Sequence, residues 1–396
     1  MTPTPDFDVY PAAPGVERAV NAERWVEVSW ADGSSARFHH VWLRDNCACD
    51  ECVHPITKEQ TYELVSAPVD NPARSAAVTD GGELDVVWSV DGHRSRYHPG
   101  WLRAHRYDGA PAAADDERTV WDASTPGVPP TFDGPDVLAD DEALLEWLVA
   151  LRAFGISRLR GVPPLPDMVG QVAARVGIVR ETNFGLLWDV RSEPDPITNA
   201  NTPLALPPHV DLATREYQPG LQFLHCIENS AAGGRGVYLD GFRVAEILRD
   251  EHPDDYAVLT SVPWQWANRS KVSDYRWAST PIVTDPSGRV VEVRVGNWLR
   301  APLAAPFEAV EAAYVAYRRL FELTYRDDLA VRVSFAAGDL LAFDNRRILH
   351  GRDAYGEGGG GRWLRGCYSE RDELDSRIRI LQRAGRAAAA VSIPSS

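Results

Sequence analysis

The sequence predicts a mainly β chain with flanking helices, in which a small β-domain precedes a larger, barrel-like domain. Short runs rich in β-formers, separated by Gly, Pro and Asp, recur along most of the chain, which is typical of short antiparallel strands. Amphipathic stretches with helical period interrupt them at a few places. With 396 residues, 44% of them hydrophobic, the chain is long enough for two domains and a substantial core.

An internal repeat marks the first domain, which we place at residues 1–106. The segments VEVSWADGSSARFHHVWLR (26–44) and LDVVWSVDGHRSRYHPGWLR (84–103) share a Trp, an Asp-Gly turn and an aromatic-His-x-x-Trp-Leu-Arg ending. Asp-Gly between alternating runs is a strong hairpin signal, so we expect two related hairpins stacked as a small β-domain. Residues 107–136, rich in Pro, Ala, Gly and Asp, are predicted to be a surface linker.

The second domain, residues 137–396, begins with a capped amphipathic helix. In DDEALLEWLVALRAFG, Asp140 is the expected N-cap and Gly155 the expected end. Further helices are predicted at Asp167–Val176, Val244–Glu251 and Phe307–Tyr325.

A cysteine cluster lies between the two predicted hairpins, in RDNCACDECVHP: Cys47, Cys49 and Cys52. A disulfide framework does not suit a cytoplasmic protein with an odd total of five cysteines. Free thiols are one alternative, and structural zinc, which needs a fourth ligand, is the favoured one. His93 sits in the second hairpin's turn, and on spacing alone His54 and His98 are rivals.

A second candidate metal site combines His209 and Asp211, in LPPHVDLATREY, with His350, which follows 139 positions after the aspartate. Side chains two apart in a strand point to the same face, so the first two are expected to share a cavity. Two imidazoles and one carboxylate are the ligand set of mononuclear iron(II) with open coordination positions.

Arg362 follows a Gly-rich turn twelve residues after His350. Period two places Arg362, Leu364, Gly366 and Tyr368 on one strand face. A guanidinium on the cavity face beside an iron site is suited to grip a carboxylate through two hydrogen bonds. The alternative is an ordinary solvated hairpin arginine.

Charge and hydropathy exclude several classes of partner. The formal net charge of −16 argues against nucleic acid and anionic membranes. No apolar run approaches the roughly 18 residues of a membrane span. The first residues, MTPTPDFDVYPAAPGVE, show neither a basic nor an apolar signal region, so we expect a cytoplasmic protein. No G-x-x-x-x-G-K-[ST] loop is present, which excludes a P-loop nucleotide hydrolase.

With these residues in view, the chain resembles the γ-butyrobetaine dioxygenase branch of the iron(II)/2-oxoglutarate oxygenases. The resemblance rests on segments along nearly the whole chain: WLRDNCACDEC, DGHRSRYHPGWL, HVDLATREYQPGLQFLHCIENSAAGG, VYLDGFRVAE, GDLLAFDNRRILHGR and RGCYSERDELDSRIRIL. It implies a small zinc-binding N-terminal domain followed by a double-stranded β-helix, or jelly-roll, catalytic domain. A homodimer is also implied.

The resemblance also implies roles for individual residues. Iron would be held by His209, Asp211 and His350. Zinc would be held by Cys47, Cys49, Cys52 and His93. The 2-oxoglutarate pocket would include Arg362, Leu224 and Asn201.

On the substrate side the match is partial. Phe184, Trp188 and Tyr368 fall at positions of an aromatic cage for a cationic group, although core packing is an equal alternative for the first two. Asn297 matches a substrate-carboxylate contact, and Arg300 is a second donor. The segment NANTPLALPPHVD looks about three residues shorter than the family pattern and lacks its tyrosine.

These features predict a dioxygenase that hydroxylates an unactivated C–H bond of a small carboxylate-bearing substrate, with release of succinate and carbon dioxide. The substrate's other end is expected to be an amino or quaternary-ammonium group, and the missing tyrosine points away from γ-butyrobetaine itself. The alternatives are a γ-butyrobetaine hydroxylase that makes carnitine, a non-redox cupin-like metalloenzyme and a non-catalytic zinc scaffold.

Overall fold

The computed structural model describes residues 2–66, 68–108, 118–191, 201–270, 273–356 and 361–391. The chain divides into two compact units, one formed by residues 1–116 with 383–396 and the other by residues 117–382. Within the described ranges, no helix combines the length and the apolar character that a membrane span requires.

The N-terminal unit consists of two three-stranded antiparallel sheets, each followed by a short helix. Its elements are β1 (Val16–Asn21), β2 (Trp25–Trp30), β3 (Ser35–His39), α1 (His40–Asp45), β4 (Ala73–Val78), β5 (Leu84–Trp88), β6 (Arg94–Tyr97) and α2 (Pro99–Ala104). The sheet orders are β1-β2-β3 and β4-β5-β6. The two predicted hairpins are confirmed as β2–β3 and β5–β6, and each gains one preceding strand.

The repeated tryptophans form the core of this unit. Trp30 and Trp88 are fully buried at equivalent strand ends, together with Val26 and Val28 of β2 and Leu84 and Val86 of β5. The indole of Trp30 donates to the carbonyl of Pro99 at 3.2 Å, and that of Trp88 donates to Ser95 Oγ at 2.9 Å. The shared sequence pattern therefore reflects two copies of one packing solution.

The second unit is built around two facing β-sheets. Its strands are β7 (Thr131–Asp133), β8 (Ile156–Arg160), β9 (Trp188–Arg191), β10 (Leu206–His209), β11 (Leu221–Asn229), β12 (Gly236–Asp240), β13 (Trp264–Arg269), β14 (Asp274–Ser279), β15 (Ile282–Thr284), β16 (Val290–Val293), β17 (Val331–Val333), β18 (Leu340–Asp344), β19 (Ile348–Arg352) and β20 (Arg362–Ser369). One sheet has the order β7-β8-β18-β11-β20-β9 and the other β10-β19-β12-β17. Leu224 and Leu364 from the first sheet pack with Tyr238 and Ile348 from the second. The predicted double-stranded β-helix is thus confirmed.

Helices cover the outer faces of both sheets. They are α3 (Gly134–Ala139), α4 (Asp141–Phe154), α5 (Met168–Val176), α6 (Gly241–Glu251), α7 (Pro253–Ser261), α8 (Phe307–Thr324) and α9 (Arg371–Val391). α4 begins as predicted, with Asp140 accepting from Ala143 N at 2.8 Å, and ends at Gly155 with φ +69°. The other three predicted helices are confirmed, whereas α3, α7 and α9 were not predicted. Pro253 opens α7 directly after α6, a position that suits proline.

The predicted linker covers residues 107–136, of which residues 109–117 lie outside the described ranges. Residues 118–136 run mostly along the surface but include one buried tryptophan and one short strand. Trp121 is 1% exposed within the core between the sheets, and β7 pairs in parallel with β8. Composition averages over a stretch and does not register one buried tryptophan or a three-residue edge strand. Residues 383–396 also group with the first unit, not with the predicted domain 137–396.

A buried ion pair joins the elements around the ends of the two sheets. Arg347, in the turn between β18 and β19, donates to Asp240 at 2.7 Å, and neither side chain is more than 1% exposed. Asp240 also accepts from the backbone of Phe242, which caps α6, and from that of Trp121. Arg347 further donates to the carbonyl of Ala153 at 2.9 Å. One network therefore ties α4, β12 and α6 to the turn that leads into β19.

Asp240→Ala should destabilise this unit strongly, because it leaves the Arg347 guanidinium buried without its carboxylate. We expect the free energy of unfolding to fall by about 3–5 kcal/mol, measured by urea denaturation followed by circular dichroism. Glu322→Ala is the control, since Glu322 pairs with Arg318 where the side chains are 52% and 81% exposed. Equal stability of the two variants would contradict the role given to Asp240.

Candidate active site

Two histidines face each other across a pair of antiparallel strands. His209 ends β10 and is the register partner of His350 in the middle of β19. Their ring centroids are 4.3 Å apart. Because directly opposed residues point to the same face of a sheet, the pairing places both imidazoles in one cavity.

Asp211 joins the two histidines from a turn, not from the strand that the sequence predicted. β10 ends at His209, and Leu212, directly after the aspartate, has a left-handed φ of +55°. Asp211 Oδ1 lies 3.3 Å from His209 Nε2 and 3.7 Å from His350 Nε2. Metal–ligand bonds of about 2.1 Å at right angles put neighbouring donors roughly 3 Å apart. The three donors therefore fit one iron(II) ion, with positions left open for further ligands.

Protonation and hydrogen bonding prepare these side chains for a metal. His209 Nδ1 donates to the carbonyl of Pro207 at 2.9 Å, which leaves the Nε2 lone pair facing the site. Burial, followed by the neighbouring His209, lowers the pKa of His350 to about 3, so its imidazole is neutral. Burial and the nearby carboxylate raise the pKa of Tyr368, which stays protonated and donates to Asp211 Oδ2 at 2.7 Å.

Asn345 holds the backbone of Asp211 through both ends of its amide. Its Oδ1 accepts from Asp211 N at 2.8 Å, and its Nδ2 donates to Asp211 O at 3.0 Å. Asn345 is fully buried in the turn between β18 and β19, the strand that carries His350. It therefore couples the two halves of the iron site. Sequence reasoning missed it, although a lone asparagine between the apolar runs of LLAFDNRRILH was an available signal.

A cavity extends from the three iron ligands to Arg362 at the start of β20. Arg362 is 7% exposed, and its Nε and Nη1 have no hydrogen-bond partner in the part of the chain that the structure describes. Burial lowers its pKa, and burial with the charge of Arg362 also lowers that of Arg352, which lines the same cavity. A buried guanidinium that faces a cavity is well suited to a carboxylate. The dicarboxylate 2-oxoglutarate fits this donor set.

The other two residues expected in this pocket differ in their placement. Leu224 lines the cavity on β11. Asn201 is buried but is not among the lining residues, and its Nδ2 donates to the carbonyl of Arg191 at 3.1 Å. Its contact with 2-oxoglutarate stays a prediction.

Two of the three aromatic residues expected to form a cage lie beside the iron ligands, and their contact with a substrate stays a prediction. The rings of Trp188 and Tyr368 lie 5.1 Å apart, and Trp188 lines the cavity. Phe184 is 38% exposed, which excludes the core-packing alternative for this residue. Trp298, which the sequence reasoning missed, has its ring centroid 4.7 Å from that of His209.

Asn297 is exposed and does not line the cavity, but its neighbours in the chain contact the iron site. Val295 accepts from Val210 N, between two iron ligands, at 2.9 Å, and a 3-10 turn over Asn297–Leu299 follows. Arg300 donates to Asn297 Oδ1 at 2.6 Å, while its guanidinium lies 5.0 Å from the Tyr317 ring centroid. Arg300 thus supports Asn297, and it leaves the Nδ2 donor directed away from itself.

The cysteine cluster forms a second metal site in the N-terminal unit. The Sγ atoms of Cys47, Cys49 and Cys52 lie 3.3, 3.5 and 3.6 Å from His93 Nε2. Tetrahedral zinc with bonds of about 2.0 Å to nitrogen and 2.3 Å to sulfur separates such donors by roughly 3.5 Å. The predicted structural zinc site is therefore confirmed, and all four ligands belong to the protein.

The structure also decides which histidine completes the zinc site. His54 Nδ1 accepts from the backbone of Thr57, and His98 Nδ1 accepts from Gly100 N at the start of α2. His93 follows Asp91, whose carboxylate accepts from His93 N at 3.1 Å. The first hairpin has the same turn, with Asp32 accepting from Ser34 N at 3.1 Å. The repeat therefore presents a histidine in one copy where the other has a serine.

A facial triad at one end of a cavity and a buried cation at the other are what an iron(II)/2-oxoglutarate-dependent dioxygenase requires, and this protein is one. The cupin-like and non-catalytic alternatives are set aside. Residues 118–368 match the Taurine catabolism dioxygenase TauD, TfdA family, and residues 18–103 match the Gamma-butyrobetaine hydroxylase-like N-terminal family. The chain belongs to the γ-butyrobetaine dioxygenase-like branch of the TauD/TfdA family.

Full-length relatives share both units. The chain is 44% identical to the γ-butyrobetaine dioxygenase of Pseudomonas sp. (strain AK-1), over 96% of this chain and 99% of that protein. It is 30% identical to the mitochondrial trimethyllysine dioxygenase of Gallus gallus, over 90% of this chain and 86% of that protein. A solved asparagine oxygenase is also similar, at 21% identity and a TM-score of 0.47, over 58% of this chain and 79% of that one.

Asn345→Ala should weaken iron binding without removing any ligand, because it releases the backbone of Asp211. Loss of such supporting contacts costs about 10–100-fold in metal affinity, and we expect this rise in the dissociation constant for iron(II) in anaerobic titrations. Asn21→Ala is a matched control: Asn21 lies in the N-terminal unit and also bonds through both ends of its amide. Unchanged iron affinity in Asn345→Ala would show that the turn alone orients Asp211.

Proposed function

We propose that the protein hydroxylates an unactivated C–H bond of a small molecule with a trimethylammonium group at one end and a carboxylate at the other. The observation that carries this proposal is the aromatic wall beside the iron. Trp188 packs on Tyr368, whose hydroxyl is bonded to Asp211. Because one of these two aromatic side chains is hydrogen-bonded to an iron ligand, a cation held against their rings lies close to the metal.

Different residues of the chain hold the metal, bind 2-oxoglutarate and exclude water in such a reaction. His209, Asp211 and His350 hold iron(II), and Arg362 anchors the distal carboxylate of 2-oxoglutarate. When bound, iron and 2-oxoglutarate supply an oxidant strong enough for an unactivated C–H bond, and 2-oxoglutarate leaves as succinate and carbon dioxide. Leu224, Leu364 and other apolar residues between the two ends exclude water from the cavity.

Asn297 is the proposed contact for the substrate's carboxylate. Arg300 occupies its Oδ1, which leaves Nδ2 as the end of the amide for the substrate, and the next residue, Trp298, has its ring centroid 4.7 Å from that of His209. In this arrangement Arg300 orients Asn297 and does not itself bind the substrate.

Two observations bear on which substrate of this class is used. The named substrates of the relatives above, γ-butyrobetaine and trimethyllysine, both carry a trimethylammonium group and a carboxylate. Residues 189–209 of this chain, which lead into the iron site, contain no tyrosine. A cage with one ring fewer than the family pattern loses a cation–π contact, which points away from γ-butyrobetaine as the preferred member of this class.

γ-Butyrobetaine itself is the second candidate substrate. It is favoured by the 44% identity that extends over 99% of the Pseudomonas enzyme. The two candidates differ in whether 2-oxoglutarate consumption is coupled to hydroxylation of γ-butyrobetaine. If another member of the class is the substrate, γ-butyrobetaine stimulates 2-oxoglutarate consumption without giving a hydroxylated product. If γ-butyrobetaine is the substrate, it is converted to carnitine.

The substrate class is tested with iron(II), 2-oxoglutarate, ascorbate and a panel of trimethylammonium carboxylates, including γ-butyrobetaine and trimethyllysine. Succinate formation and mass spectrometry of the product show which member gains one oxygen atom. Trp188→Leu should weaken the best substrate by roughly two- to thirtyfold. The same variant should hardly affect a neutral tert-butyl analogue, which lacks the charge. Absence of a hydroxylated product from the whole panel would contradict the proposal.

Arg362→Ala should raise the 2-oxoglutarate concentration needed for half-saturation by roughly a hundredfold or more, because a buried charge-assisted contact is lost. Lysine at this position should rescue poorly, since a point charge does not reproduce the planar fork. Arg365→Ala is the control, since Arg365 lies on the same strand with its side chain on the opposite face, near Asp189. Unchanged saturation in Arg362→Ala would remove the anchor from the mechanism.

A further inference from the structure

Gln222 is a buried amide that the site described so far does not use. It is 1% exposed on β11, within the otherwise largely apolar run LQFLHC. It lines the same cavity as His209, Asp211 and His350. Its Oε1 is enclosed and has no hydrogen-bond partner among the residues that the structure describes. With Oε1 enclosed, the amide can still pair with a polar ligand in the cavity through its donor end.

The strand register places Gln222 at the iron end of the cavity. Its partners on the two neighbouring strands are Phe343 of β18 and Tyr368 of β20, so all three side chains share one face. The Phe343 ring centroid lies 4.9 Å from that of His350. Tyr368 donates to Asp211. Gln222 therefore lies between two residues that each contact an iron ligand.

The rest of the cavity indicates what occupies it. Leu224 follows Gln222 on the same face of β11, and Arg362 lies at the far end, where it is the register partner of Asn229. Of the expected substrate residues, Trp188 lines the cavity beside the iron ligands, whereas Phe184, Asn297 and Arg300 are not among the lining residues. A cavity with an amide and a metal at one end, an apolar middle and a guanidinium at the other matches a short dicarboxylate.

We propose that Gln222 donates a hydrogen bond through Nε2 to the iron-chelating carboxylate of 2-oxoglutarate, as a second co-substrate-binding residue opposite Arg362. Because Oε1 is enclosed, Nε2 is the polar end through which the side chain reaches the cavity. The inference rests on the proposed role of Arg362 as the distal anchor. Together the two residues would recognise both carboxylates of one molecule, one at each end.

The test is anaerobic titration of the iron(II)-loaded protein with 2-oxoglutarate, followed by calorimetry and by visible absorption of the complex. Gln222→Met keeps the side chain's length and removes the donor. We expect it to raise the dissociation constant of 2-oxoglutarate on the order of tenfold to a hundredfold, as for a hydrogen bond to a charged group. Gln222→Glu should bind still more weakly, because it adds a like charge. Affinity for iron(II) should not change.

Pyruvate separates the two ends of the cavity, since it has the 2-oxo acid end of 2-oxoglutarate and lacks the distal carboxylate. Gln222→Met should weaken pyruvate and 2-oxoglutarate by similar factors, whereas Arg362→Ala should weaken 2-oxoglutarate alone. Phe223→Leu is the structural control, since Phe223 is the next residue of β11 and packs in the core on the opposite face. It should leave both dissociation constants unchanged.

The inference is overturned by normal binding of both ligands to Gln222→Met, or by weakened 2-oxoglutarate binding with normal pyruvate binding. If Gln222→Met does not fold, Gln222→Asn withdraws the donor by one methylene and should show the same pattern more weakly. Failure of the wild-type protein to bind 2-oxoglutarate would overturn the pocket assignment as well. The substrate panel can fail without altering any of these titrations.

Discussion

The active site depends on the register between β10 and β19. His209 faces His350 because the two are direct partners in this ladder, and a slip by one residue would turn one imidazole to the other face. The register is constrained from both sides of β19, since His350 also pairs with Tyr238 of β12. Gly351 adds a steric constraint: a Cβ there would lie 2.5 Å from the carbonyl of Leu206.

The charge inside the active-site cavity is opposite in sign to the net charge of the chain. The protein carries a formal net charge of −16, yet its cavity buries two guanidiniums, those of Arg352 and Arg362. Burial and mutual repulsion disfavour their charged forms. An anion that enters relieves this repulsion, so the free energy stored in the pocket favours a carboxylate ligand over a neutral one. Arg352 also holds the approach to β10 by donating to the carbonyls of Thr202 and Leu204 at 2.5 and 2.7 Å.

The N-terminal unit uses one hairpin design twice and adds a metal at only one copy. Asp32 and Asp91 make the same turn, but only the second turn presents His93 to the three thiols. Zinc there links the segment after α1 to the turn between β5 and β6. Since metal binding contributes directly to folding free energy, this cross-link supports a unit whose two sheets are small.

The sequence by itself determined what depends on near neighbours along the chain. Asp140 and Gly155 bounded a helix, the two Asp-Gly turns indicated hairpins, and the ligand types of both metal sites were already visible. Only the tertiary structure decided which distant groups meet. Asp211 reaches the iron from a turn held by Asn345, His93 completes the zinc site in place of His54 and His98, and Trp121 belongs to the core and not to a linker. The physical reason is that period, caps and turns are local, whereas contacts within hydrogen-bond distance depend on strand order and register.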